Sequence, residues 1–313
     1  MIYLELAGGF VLLLGGAEFV LRGAVQLARR LGVSPLIIGL TVVAYCTTMP
    51  ELLVSLEAAI REAPGIAIGN IVGSNICNLL LILGAAACVC PMVVNPREVR
   101  FEGGAAIGVA VLFLVLGMVG NLSRLDGALL LGCLAAFTVI SYRRARRNPP
   151  ELEAEGDAAD RPTWMVVGTL AIGLGCVVLG SHLLVEGAIG LARLLGVSEA
   201  VIGVTVVAVG TSLPELATAV VSAYRGHSEV AVGNVLGANI FNLLAIGGLV
   251  AVVHPLDVPP HLLHLAIWTM MGATIVLISW LAFRGTLGRP AGVLFLAVYA
   301  LYIILEYGPL TNV

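Results

Sequence analysis

Two glutamates stand where glutamates are expensive. Glu51 closes the string Cys46-Thr47-Thr48-Met49-Pro50-Glu51, and Glu215 closes Gly210-Thr211-Ser212-Leu213-Pro214-Glu215, each inside an apolar run long enough to cross a bilayer. A carboxylate at the centre of a bilayer costs at least ~2.5 kcal/mol on the most lenient scale, so its presence there calls for a functional reason. Each proline lacks an amide hydrogen and clashes with the preceding turn, so the helix should kink and release the carbonyls near Cys46 and Thr47. Freed carbonyls, hydroxyls and a carboxylate make an oxygen-only ligand set. Such a set suits hard cations, Na+ or Ca2+, and nothing in it argues for a soft metal.

The two strings belong to one duplicated segment. Residues Gly39 to Pro91 align with the segment 164 residues later without a gap, and 25 of the 53 pairs are identical. Each copy ends in a Gly-Asn-rich stretch, GNIVGSNICNLL from Gly69 and GNVLGANIFNLL from Gly233. Asn78 and Asn242 close these stretches and offer side-chain carbonyls, while Ser74 adds a hydroxyl that its counterpart Ala238 lacks. The neighbouring glycines permit close helix approach. Asn70, Asn75, Asn234 and Asn239 are expected to serve broken backbone rather than ions. Upstream, LARRLGVS from Leu27 matches LARLLGVS from Leu191, so the duplication reaches the first span of each half.

The elements that must position these residues follow from composition. The chain is 59% hydrophobic and 11% charged, with a mean hydropathy of +1.06. Soluble domains carry about 25% charged residues, so the class is an all-α polytopic membrane protein. Ten apolar segments are long enough to span: 3–27, 36–60, 65–90, 99–120, 124–142, 163–191, 200–224, 229–253, 261–283 and 290–308. The third and eighth, interrupted by Gly and Asn, are expected to be broken helices. The polar stretch RRARRNPPELEAEGDAADRP divides the chain into a first five-span repeat, 1–142, a linker, 143–162, and a second repeat, 163–313. An odd number of spans per half forces the second half to enter from the opposite side, so the repeats should be inverted.

Arginine placement sets the expected orientation. Twelve arginines (29, 30, 97, 100, 143, 144, 146, 147, 161, 225, 284 and 289) fall in one set of loops, and only Arg61, Arg124 and Arg193 in the other. The richer side is cytoplasmic. Both termini then lie outside the inner membrane and the linker lies within the cell. The net charge of −3 points to no nucleic acid or other highly charged partner. The six cysteines lack zinc-like spacing and read as reduced thiols facing lipid or core. Glu18, Arg22, His182 and Glu186 read as interhelical or snorkelling groups, and Glu57 as a charge that draws cations toward the mouth.

The paired motifs, GTSLPEL with GNVLGANIFN and their counterparts at Thr47–Glu51 and Gly69–Asn78, resemble the alpha-repeats of the sodium/calcium exchangers. The resemblance covers the whole chain. It implies antiport by alternating access, with Ca2+ and Na+ as transported ions, no cofactor, and no partner beyond inorganic cations and membrane lipid. Carried over, it makes Glu51 and Glu215 the central carboxylates shared by both ions. It gives Thr47 and Thr211 backbone carbonyls as ligands, Thr48 and Ser212 outer hydroxyls, Ser74 an inner hydroxyl, and Asn78 and Asn242 the central polar pair. Cys46, Thr48 and Met49 stand where the family usually has Gly, Ser and Leu. Asn242 stands where several members carry Asp, which leaves two carboxylates at the centre and no expectation of K+ transport. Proton-coupled calcium exchange is the alternative, although its usual Gly-Asn-Ala-x-Glu motif is missing here. A channel fits paired kinked helices less well. An intramembrane enzyme lacks any Ser-Lys, Gly-x-Ser-x-Gly or His-Glu-x-x-His motif.

Overall fold

The computed structural model describes residues 2–147, 162–195, 210–258 and 265–307. Most of the polar linker and the first half of the expected seventh span, including Gly203 to Val209, lie outside the described residues.

Long helices dominate the chain. They are α1 (Ile2–Leu31), α2 (Pro35–Thr47), α3 (Met49–Ile60), α4 (Pro64–Val89), α5 (Pro96–Gly117) and α6 (Arg124–Arg147), followed by α7 (Thr163–Leu194), α8 (Leu213–Tyr224), α9 (Ser228–Val253), α10 (Ala266–Arg284) and α11 (Arg289–Tyr307). Eight of these are long and apolar enough to cross a membrane, and α2 with α3 makes a ninth, broken span. Their ends are set by local chemistry. Asn95 caps α5, accepting from the Arg97 amide at 3.0 Å with Pro96 at the first position. Ser123 and Asp126 form a reciprocal capping box at the start of α6. Gly285 ends α10 in the left-handed conformation, at φ 66°.

Burial divides the helices into a centre and a rim. The best 18-residue windows of α4 and α9 are 78% and 83% buried, against 22% for those of α6 and α11. The rim helices turn residues such as Val11, Leu129, Trp164 and Leu294 outward, a surface suited to hydrocarbon. The third and eighth spans are not broken, as their Gly-Asn content suggested. Each is one continuous helix that widens to π geometry, at Cys77–Ile82 in α4 and Asn242–Ile246 in α9. The ladder of backbone bonds stays closed there by reaching one residue further, so the chain turns without a gap.

Contacts between the halves come in matched pairs. α1 and α7 run antiparallel with backbones touching, since a Cβ on Gly16 would lie 2.7 Å from the Val177 nitrogen. Gly84 of α4 meets Gly292 of α11, and Gly248 of α9 meets Gly127 of α6. Two short antiparallel ladders, not foreseen in an all-α reading, tie the loops: β1 (Met92–Val93) with β4 (Thr286–Leu287), and β2 (Asn121–Leu122) with β3 (Leu256–Asp257). A shift of 164 or 165 residues turns each member of these pairs into a member of the other pair.

Candidate cation site at the helix breaks

The first break behaves as Pro50 requires. α2 and α3 meet at Thr48 with a bend of 44°. Thr48 leaves helical geometry at φ −81°, ψ 3°, and Ser212 does the same at φ −90°, ψ 6° before α8. Each break therefore opens a helix N-terminus whose first turn carries the glutamate.

Both breaks are packed into the middle of the protein. Thr47, Glu51, Asn78, Ser212, Glu215 and Asn242 are each at most 2% exposed, and Thr48 and Ser74 are buried with them. The π stretch of each copy lies against the glutamate helix of the other, Cys77–Ile82 against α8 and Asn242–Ile246 against α3. Close approach is enforced at the crossing of α2 and α9. A Cβ on Gly237 would sit 2.2 Å from the Leu40 carbonyl oxygen, a distance only glycine avoids.

The side chains cross between copies. The Ser212 hydroxyl donates to Glu51 Oε1 at 3.3 Å. Glu215 lies close enough to Glu51 to repel it, and Thr211 approaches Glu51 as Thr47 approaches Glu215. Neither approach closes a hydrogen bond. The Thr47 hydroxyl instead meets the Ala44 carbonyl and Asn234 Oδ1, and Asn234 donates to Thr218 at 2.8 Å. Thr48 turns back to the Ala44 carbonyl at 2.9 Å. Asn70 donates to the backbone carbonyl of Glu51 and to Ser55, the supporting role expected of it. Ser74 shares a face of α4 with Asn78, one turn earlier, opposite Ala238 in the second copy.

What remains is a set of buried oxygens with no donor. Glu51 Oε2, both oxygens of Glu215, Thr211 Oγ1, Asn78 Oδ1 and Asn242 Oδ1 have no hydrogen-bond partner. Leaving one such acceptor dry costs roughly 1–3 kcal/mol, more when it is charged. Among the described residues no cationic side chain acts on either carboxylate. No group of three or more His, Cys, Asp or Glu that could hold a metal occurs among them either. The set of oxygens is of the kind that suits hard, oxygen-seeking cations.

Other polar residues fall outside this set. Glu18 bridges Arg22 at 2.9 Å and Arg225 at 2.8 Å, the interhelical pairing expected of it. Glu57 is exposed and paired with Arg61 on its own helix, which weakens any role in attracting cations. All six cysteines are free. Cys77 packs in the core, as expected, at a point close to Ser212, Tyr299 and the two glutamates. Its position next to Asn78 was the only signal for this in the sequence.

Three comparisons bear on identity. The family profile described as "Sodium/calcium exchanger protein" matches residues 2–143 and 165–308, skipping the polar linker. The inner membrane protein YrbG of Escherichia coli (strain K12) is 35% identical over 311 residues, covering 96% of this chain and 94% of that one. The sodium/calcium exchanger MaX1 of Methanosarcina acetivorans is 32% identical over 97% of this chain and 98% of its own. The solved sodium-calcium exchanger NCX_Mj superposes with a TM-score of 0.84 at 32% identity, over 97% of this chain and 99% of that one. With both repeats matched in sequence and nearly the whole backbone matched in space, the chain belongs to the sodium/calcium exchanger family.

Proposed function

We propose that this protein is a secondary antiporter that exchanges Na+ for Ca2+ across the inner membrane by alternating access. The observation that carries the reading is the cluster of six buried oxygens without donors, contributed by both copies of the motif. Two carboxylates held together in a low-dielectric interior repel each other, and a divalent cation between them removes that repulsion. Two monovalent cations can do the same. Ca2+ and Na+ then compete for one shared pair of ligands, which produces exchange rather than co-transport. The direct ligands would be Glu51, Glu215, Asn78 and Asn242, with Thr47, Thr48, Ser74, Thr211 and Ser212 supplying carbonyl and hydroxyl oxygens.

The architecture that fits this reading is ten spans in two inverted repeats, 1–142 and 163–313, joined by a cytoplasmic linker. The interchange of the two ladders and of the two glycine contacts under the repeat shift supports it. Antiparallel packing of α1 on α7 supports it too. The orientation with both termini outside rests on the arginine bias. A single cysteine introduced at Ala154, in a variant without reactive native thiols, should be protected from impermeant thiol reagents outside intact cells.

Proteoliposomes test the exchange. Ca2+ uptake should require an outward Na+ gradient and should not be supported by K+ or H+ gradients alone. Uptake indifferent to every gradient would point to a channel, and uptake driven by protons alone would reassign the coupling ion.

A further inference from the structure

Where α4 meets α9, four asparagines from opposite repeats form two crossed pairs. Asn78 donates its amide N–H to Asn239 Oδ1 at 3.0 Å, and Asn242 donates to Asn75 Oδ1 at 3.4 Å. The repeat shift converts one pair into the other. We propose that Asn75 and Asn239 are positioning residues of the ion site. Each holds the nitrogen of the ion-facing asparagine in the other repeat and so fixes that amide with its oxygen free for the cation. The proposal rests on the exchanger reading and adds residues to it.

The polarity of the amides is determined by what anchors them. Asn239 Nδ2 donates to the main-chain carbonyl of Asn75 at 3.2 Å. A main-chain carbonyl can only accept, so Asn239 must turn Oδ1 toward Asn78. Asn78 must then present Nδ2 to it, and Oδ1 is the atom left over. It is buried and has no donor. The second pair is built alike on a softer anchor, because Asn75 Nδ2 meets the Met270 sulfur at 3.5 Å. Asn242 Oδ1 is again left buried without a donor. All four residues are at most 5% exposed.

The orientation matters because an amide is a dipole. Reversed, it would aim two N–H donors at a cation and repel it. A carboxylate has no such wrong face, since either oxygen can serve. The loss on removing Asn75 or Asn239 should therefore vanish or reverse when its partner becomes Asp, because a carboxylate there has no N–H for the fixed amide oxygen, whereas a purely structural brace between the repeats would matter equally in both backgrounds.

The test is Ca2+ and Na+ half-saturation of exchange in proteoliposomes, with size-exclusion profiles confirming folded protein. Asn239→Ala should weaken Ca2+ half-saturation roughly ten-fold with maximal rate changed far less. In the Asn78→Asp background the same change should weaken it by no more than about two-fold. Asn75→Ala, alone and with Asn242→Asp, should repeat the pattern with a smaller loss, because its anchor is weaker. Equal losses in both backgrounds, no loss in the single variants, or alanine variants that fail to fold in either background would each overturn the proposal. If unsubstituted protein exchanges ions while these variants behave additively, the exchanger reading stands and the positioning role falls. If unsubstituted protein does not exchange ions, both fall.

Discussion

In the first copy of the motif the hydroxyl at the break, Thr48, folds back onto the Ala44 carbonyl of its own helix. In the second, Ser212 reaches across to Glu51. The consequence is carried to the carboxylates: Glu51 has one donor, and Glu215 has none. The same contrast runs through the flanks, where Ser74 corresponds to Ala238 in the repeat, Cys46 to Gly210, and Glu57 to Val221. A two-fold repeat has thus been kept in its backbone and relaxed in its side chains. β-Branching helps explain the Thr48 choice, since a helical Thr readily bonds the carbonyl one turn back.

The largest test of that comparison asks where the copies should remain equivalent. Glu51→Gln and Glu215→Gln each halve the central charge with little change of shape. Either should abolish Na+-driven Ca2+ uptake, by a hundred-fold or more for a loss of ~3 kcal/mol, in protein that still purifies folded. Near-normal flux in both variants would remove the carboxylate pair from the mechanism.

A structural prediction comes next. Gly237→Ala places a methyl group against the Leu40 carbonyl at a crossing with no slack. We expect a stability loss on the order of 1–3 kcal/mol, read as a lower melting temperature in detergent. An unchanged melting temperature would mean that α2 and α9 can part without cost.

The hydroxyls separate the copies. Ser212→Ala removes the donor to Glu51, and should weaken Ca2+ half-saturation about ten-fold, the scale of a hydrogen bond to a charged group. Thr48→Val should weaken it less than Ser212→Ala does, by no more than about three-fold, because the Thr48 hydroxyl donates to its own helix and offers an ion only its lone pairs. Equal effects would restore full symmetry to the site.

The smallest effects are expected from K+ and from Glu57. With Asn at position 242, Ca2+ uptake should change by less than about two-fold when K+ replaces an inert cation, since no third carboxylate is present to hold another charge. A strict K+ requirement would contradict this. Glu57→Gln should likewise alter uptake by less than about two-fold at physiological salt, the usual weight of an exposed pair.

Sequence alone determined a good deal here. Hydropathy, the duplicated Thr-x-x-Pro-Glu and Gly-Asn strings and the polar linker were enough for the membrane class, the repeat and the kink at Thr48. They also named polar residues, Glu51, Asn78, Glu215 and Asn242 among them, that the structure buries. These are local signals: a proline removes one amide wherever it stands, and an apolar run of a given length spans a bilayer whatever surrounds it. The tertiary structure decided what local signals cannot carry. It made the third and eighth spans continuous π-widened helices, turned Thr48 inward and Ser212 across, and brought Cys77 to the site. It also joined Asn78 to Asn239 across 161 residues of sequence and Asn242 to Asn75 across 167. Which way an amide points depends on the donors and acceptors around it, and here those come from the other half of the chain.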